Sequence, residues 1–178
     1  MSTGAKGGEI FAAPFVVEHT FRRSLGPVMS RFLTGLRDRR IEGIRTRDGR
    51  VMVPPKEYDP ETSEPLDEFV EVGQSGVVTT WSWVSSPKQK HPLDRPFAWA
   101  LIQLDGADTA MLHAVDAGEE SKMRTGMRVQ VRWREETVGE ILDIGCFEPE
   151  EENPMIGFRG ASRGGEPLPH GIPHSPER

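Results

Sequence analysis

The chain has 178 residues, enough for one domain with appendages, and its 35% hydrophobic and 28% charged content with 19 Gly and 15 Pro predicts a modest core and loose ends. A formal net charge of −6 argues against the basic footprint of a nucleic-acid binder. The lone Cys146 excludes an internal disulfide and suits a reducing cytoplasm; no apolar run approaches the ~20 residues of a membrane span, and no signal-peptide pattern opens the chain.

Residues 1–18 are Gly- and Ala-rich at first and read as a flexible N-terminus. Residues 19–40 read as helix, with Phe21, Leu25, Val28, Phe32, Leu33 and Leu36 on one apolar stripe. Gly26-Pro27 interrupts that stripe. Proline restricts the residue before it and lacks an N–H, so a second helix is expected to start near Pro27, giving a helical hairpin over 19–42. Arg22, Arg23, Arg31, Arg37, Arg39 and Arg40 crowd the other face, and Arg45, Arg47 and Arg50 follow. Such a zone is either a solvated helix face with cations near its C-terminal end or a contact for an anionic ligand or acidic partner.

Residues 43–65 have the spacing of a four-cysteine zinc ribbon without the cysteines. Arg45, Asp48, Asp59 and Thr62 stand where C-x2-C-G, x10, C-P-x-C would place four thiolates. The turn-formers Gly49, Pro54, Pro55 and Pro60 are all present. Arginine cannot ligate zinc, and two Asp with a Thr make a poor tetrahedral set, so no metal is expected. Packing through Val51, Val53, Tyr58 and Leu66 is expected to replace it.

Beyond the ribbon the period changes to that of strands. A short strand is expected at 69–72, then β-branched or alternating runs at 76–84, 97–104, 109–115, 127–133 and 140–147, with a helical turn within 116–126. Five short strands with a small helical element before the last pair predict a closed five-stranded OB (oligonucleotide/oligosaccharide-binding) barrel over 68–149. From residue 150 the chain is acidic, then Pro/Gly-rich, and reads as disordered to 178.

Catalytic signatures are missing: the sequence holds no G-x-S-x-G, no phosphate-binding Gly-rich loop and no H-E-x-x-H. Of five histidines only His113 falls inside an expected strand, where a structural role is anticipated; Cys146 reads as a small buried residue. Trp81 and Trp83 share a strand face and, like Trp99 and Trp133, are expected in the core or at an interface, with base stacking as the competing account.

The order of parts resembles the zinc-ribbon/OB-fold family of acyl-CoA-associated proteins known as domain of unknown function 35. The resemblance runs from about Phe21 to Pro149 and is carried by FLTGLRDRRIEG at 32–43, DGRVMVPP at 48–55, EYDPET at 57–62, EVGQSGVVTTWS at 71–82, PFAWALIQLD at 96–105, GMRVQV at 126–131 and FEP at 147–149. It implies a mainly β protein: a helical hairpin, a rubredoxin-like ribbon at 43–67 that has lost its metal ligands, and the barrel. It also implies a non-catalytic, cofactor-free accessory subunit. The expected partner is a lipid-transfer-type thiolase or aldolase acting on acyl-CoA, as in steroid side-chain breakdown. Arg22, Arg23, Arg31, Arg37, Arg40, Trp81 and Trp83 are its candidate partner-binding residues. The alternatives are a stand-alone acyl-CoA-binding module, in which those arginines meet CoA phosphates, and a single-strand nucleic-acid binder.

Overall fold

The computed structural model describes residues 24–150. The first helix of the expected hairpin, with Arg22 and Arg23, and the tail from residue 151 lie outside the described residues.

One α-helix is described, α1 (Gly26–Arg37), with proline in its first turn. Leu25 at the N-cap has no side chain to cap the helix. Glu57 takes that role from 29 residues away, its Oε1 accepting the Val28 N–H at 3.2 Å. The backbone favours glycine at 26, where φ is +75°; a Cβ there would also push aside the Glu57 carboxylate. α1 ends three residues before the expected Arg40, because Arg39 adopts φ +56° and the Arg39 and Arg40 N–H groups turn back onto the Leu36 and Gly35 carbonyls. Val28, Phe32 and Leu36 form its buried face, whereas Leu25, expected on that stripe, is 50% exposed beyond the helix start.

The ribbon is a three-stranded antiparallel sheet in the order β2-β1-β3, with β1 (Glu42–Arg45), β2 (Val51–Met52) and β3 (Phe69–Glu71). The short strand expected at 69–72 therefore pairs with β1, in the register Gly43↔Val70, and not with the barrel. Val51, Val53 and Leu66 are buried as expected. Tyr58 is not: it lies 61% exposed, since its strand-like bridge to Pro65 runs along the outer edge.

Five strands close the barrel in the order β4-β5-β6-β8-β7: β4 (Ser75–Val84), β5 (Phe97–Leu104), β6 (Ala110–Val115), β7 (Arg128–Trp133) and β8 (Ile144–Pro149). All neighbours are antiparallel except β6 and β8, which meet in parallel at Val115↔Phe147. Gly76 lets β4 press on β5; a Cβ there would lie 2.4 Å from the Gln103 carbonyl oxygen. The helical turn expected within 116–126 is a 3-10 turn at Glu120–Lys122. β8 starts four residues later than expected, because residues 141–143 form a second 3-10 turn. Buried Asp143 holds that turn, accepting the N–H groups of Val138, Gly139 and Glu140 at 3.0, 2.7 and 3.1 Å.

One core joins the parts. Phe32 and Leu36 of α1, Ile41, and Val51 and Val53 of the ribbon pack with Val78, Ile102, Met111, Val129 and Phe147 of the barrel. Val28, Ile44, Met52 and Leu66 make a smaller cluster beneath the ribbon.

Candidate partner-binding site

The ribbon positions fold as two turns locked by a carboxylate. Asp59, 4% exposed, accepts the Arg47 N–H through Oδ2 at 2.9 Å and the Glu61 and Thr62 N–H groups through Oδ1 at 2.8 and 3.0 Å. It thereby joins the first turn to the second, where metal would do so in a zinc ribbon. These backbone donors, Arg47 first, hold its carboxyl below the usual carboxylate range. Asp48 is also lowered, by the Thr46 hydroxyl and then by Arg50. Arg45 bonds Glu68 through Nε at 2.7 Å and the Gly49 carbonyl at 3.0 Å. The Thr62 hydroxyl accepts the Glu64 N–H at 3.4 Å. All four residues are thus engaged in hydrogen bonds, and the described residues contain no group of three or more His, Cys, Asp or Glu able to hold a metal ion.

The arginine zone is laced with acids. Arg31 grips the buried Glu42 with Nε at 3.2 Å and NH2 at 2.8 Å, and its guanidinium lies 4.0 Å from the centre of the Phe69 ring. Those hydrogen bonds are the main cause holding the Glu42 carboxyl below its ordinary value. Arg40 approaches Asp38 at 3.8 Å and Glu42 at 3.9 Å, and Arg37 meets Asp38 at 3.4 Å. Arg47 pairs with Glu64 and Arg50 with Glu61. A phosphate arriving here would compete with carboxylates already in place. Arg39 donates to the carbonyls of Arg134 and Glu135 at 3.2 and 3.0 Å, fastening the loop before β8 to the end of α1.

Trp81 and Trp83 lie half-buried against the main core, opposite the buried Ala100 and Ala98. Trp133 donates to Gln74 at 2.8 Å. On the barrel, Arg128 clamps Asp105 with two bonds of 2.6 Å and reaches Glu150 at 2.9 Å, while Arg95 and Arg132 share Asp116. Cys146 is fully buried and its thiol is pushed up to about 11 by burial, so it is no thiolate nucleophile. His113 is 4% exposed, burial lowers its pKa, and its Nδ1 has no hydrogen-bond partner. Its ring packs edge-on to Phe147, which places it in the seam between β6 and β8.

Sequence reasoning did not single out the exposed Leu101, Leu112, Val138, Ile141 and Leu142. Alternation predicts that Leu112 faces opposite to Met111, but not which of the two points outward.

This architecture defines the class: an OB-fold barrel protein with an appended three-stranded sheet. Residues 69–134 match the family model of the ChsH2 C-terminal OB-fold domain. The match covers β3 and the barrel strands from β4 to β7. Two solved structures share the fold. One is the Ltp2–ChsH2(DUF35) aldolase, at TM-score 0.54 and 19% identity over 72% of this chain and 98% of that one. The other is a DUF35-family protein of unknown function from Sulfolobus solfataricus, at TM-score 0.50 and 20% identity over 60% of this chain and 77% of that one. No curated protein matches the chain significantly. Among the described residues no helix is long and apolar enough to cross a membrane.

Proposed function

We propose that this chain is a non-catalytic accessory subunit that binds and stabilises a thiolase-superfamily acyl-CoA enzyme, a lipid-transfer-type thiolase or aldolase, in lipid or steroid side-chain degradation. The observation that carries the reading is the barrel. Its sequence matches the ChsH2 OB-fold model, and the fold extends over nearly all of a chain in the Ltp2–ChsH2(DUF35) aldolase. The chemistry of the described residues supports it: Arg31, Arg45, Arg50, Arg128 and Arg132 are each held by a carboxylate, the only cysteine is a buried thiol, and Asp59 ties the two ribbon turns together.

The test is co-expression with a thiolase-like enzyme encoded in the same genome. The two are expected to elute together in size exclusion, and the enzyme to lose solubility or activity when this chain is omitted. An enzyme that is equally soluble and active alone, and never co-elutes, would refute the reading.

A further inference from the structure

We infer that His113 is an acid-sensitive pin in the barrel: on taking up a proton it opens the seam between β6 and β8 and frees the turn at 141–143. This goes beyond the accessory-subunit reading and does not rest on it.

The seam is the thinnest closure of the barrel. β6 and β8 share one register pair, Val115↔Phe147, extended by the Asp116 N–H donating to the Phe147 carbonyl at 2.8 Å. Every other pair of neighbouring barrel strands shares at least three register pairs. His113 lies two residues before the buried Val115, and so on the same inward face of β6. Because the two strands run parallel, the residues level with His113 are those before Phe147, where β8 leaves the turn at Ile141–Asp143. The ring contacts agree with this placing. The imidazole meets Phe147 edge-on, with ring centroids 5.6 Å apart, and the Ile141 backbone hydrogen-bonds it. One side chain thus touches β8 across the seam and the turn that precedes it.

The surroundings of the ring suit only its neutral form. His113 is 4% exposed, and its Nδ1 is the only buried side-chain nitrogen or oxygen among the described residues without a hydrogen-bond partner. A neutral imidazole leaves Nδ1 as an idle acceptor at modest cost. A protonated one carries N–H on both nitrogens, and the second becomes a buried, charged donor with nothing to meet. No carboxylate stands ready. β5 presents Ala100 opposite, and β8 presents Phe147. In the loop before β8, Arg134 repels a cation at His113, and Asp143 is committed to the Val138, Gly139 and Glu140 N–H groups. On β6 itself, Asp116 is held by Arg95 and Arg132. Burial is the main cause that lowers the pKa of His113 below its ordinary value.

The easiest route to a proton is to let the ring reach water, which parts β6 from β8 at their single pair. The turn then loses its link through Ile141, and the loop is left to the bonds that Arg39 and Thr137 make with it at the end of α1. A histidine lowered by folding contributes stability that is complete above about pH 6.5 and falls away below it. Carboxylates lose theirs only below about pH 4, so the two effects occupy different windows.

The test is amide hydrogen exchange on the full chain at about pH 7.5 and about pH 5.5, corrected for the intrinsic pH dependence of exchange. The Asp116, Arg134 and Asp143 N–H groups hydrogen-bond across the seam and around the turn. They are expected to open up to about tenfold more often at the lower pH, the ratio set by an exposed imidazole titrating near 6.5. The Val72 and Asp59 N–H groups of the ribbon are expected to keep their protection. His113→Phe should abolish the rise, and His91→Gln should retain it. No rise at the seam, an equal rise in seam and ribbon, or a rise that persists in His113→Phe would overturn the inference. Where His113→Phe does not fold, the ring proton resonances of the unsubstituted chain decide. Those of His113 are expected to stay in the neutral form down to about pH 5.5, and a midpoint at or above about 6.5 would overturn the inference.

Discussion

Asp59 joins the two turns of the ribbon segment through one carboxylate. A buried carboxylate is costly unless each oxygen is satisfied. Here both oxygens are, by the N–H groups of Arg47, Glu61 and Thr62. The arrangement predicts a graded response. Asp59→Asn keeps an acceptor for two of those donors but turns a donor or a poorly placed oxygen toward Arg47, whereas Asp59→Ala leaves all three unmet. Both variants should lower the melting temperature, the alanine more. EDTA should leave the melting temperature of the unsubstituted chain unchanged. The pH dependence has a definite sign. A carboxyl lowered by its partners contributes stability that is full above about pH 4 and is lost as the pH falls through its folded-state value. The stability gap between the unsubstituted chain and Asp59→Ala, read from denaturant titrations, should therefore be largest near neutral pH and shrink as the pH falls below about 4. Spacing pointed to position 59, and the chemistry of Arg45, Asp48, Asp59 and Thr62 argued against a zinc site there. That Asp59 instead ties two turns together depends on a residue 12 positions away, which no local pattern encodes.

At the scale of elements, α1 is fastened to the barrel by packing and by its C-terminal turn. Its own capping is poor, since Leu25 offers no acceptor and Glu57 supplies one from the ribbon. Phe32 is 1% exposed in the core shared by helix, ribbon and barrel. Phe32→Ala should cost about 3–5 kcal/mol, read as a lower urea midpoint in a single transition. Two separate transitions would show that helix and barrel unfold independently. The 3–4 spacing made the buried face of α1 legible: Val28, Phe32 and Leu36 lie inward. The same stripe overreached at Leu25, because the glycine at 26 begins the helix one residue too late to carry it inward. The strands were legible for a similar reason, alternation and turn residues being near-neighbour properties. The start of β8 was misplaced because Ile141 and Leu142 look like strand residues, while Asp143 bonds backward and coils them into a turn.

For the whole molecule, charge is the property most changed by folding. Read along the chain, the arginines from 22 to 50 look like an anion site. Folded, the described ones largely meet acids: Arg31 meets Glu42, Arg45 meets Glu68, Arg50 meets Asp48 and Glu61. The isolated chain is therefore expected to give no calorimetric heat with an acyl-CoA; saturable micromolar binding, with or without partner enzyme, would restore the stand-alone CoA module as the better account. The sequence by itself determined the strand segments, the turn positions, the absent metal ligands and the order of helix, ribbon and barrel, because each is set by residues a few positions apart. Only the tertiary structure decided that β6 and β8 run parallel, that Arg31, Arg45 and Arg50 meet carboxylates, and that Leu101 and Leu112 face outward as register partners. Each of these requires groups distant in the chain to meet, and which groups meet is set by how the barrel closes.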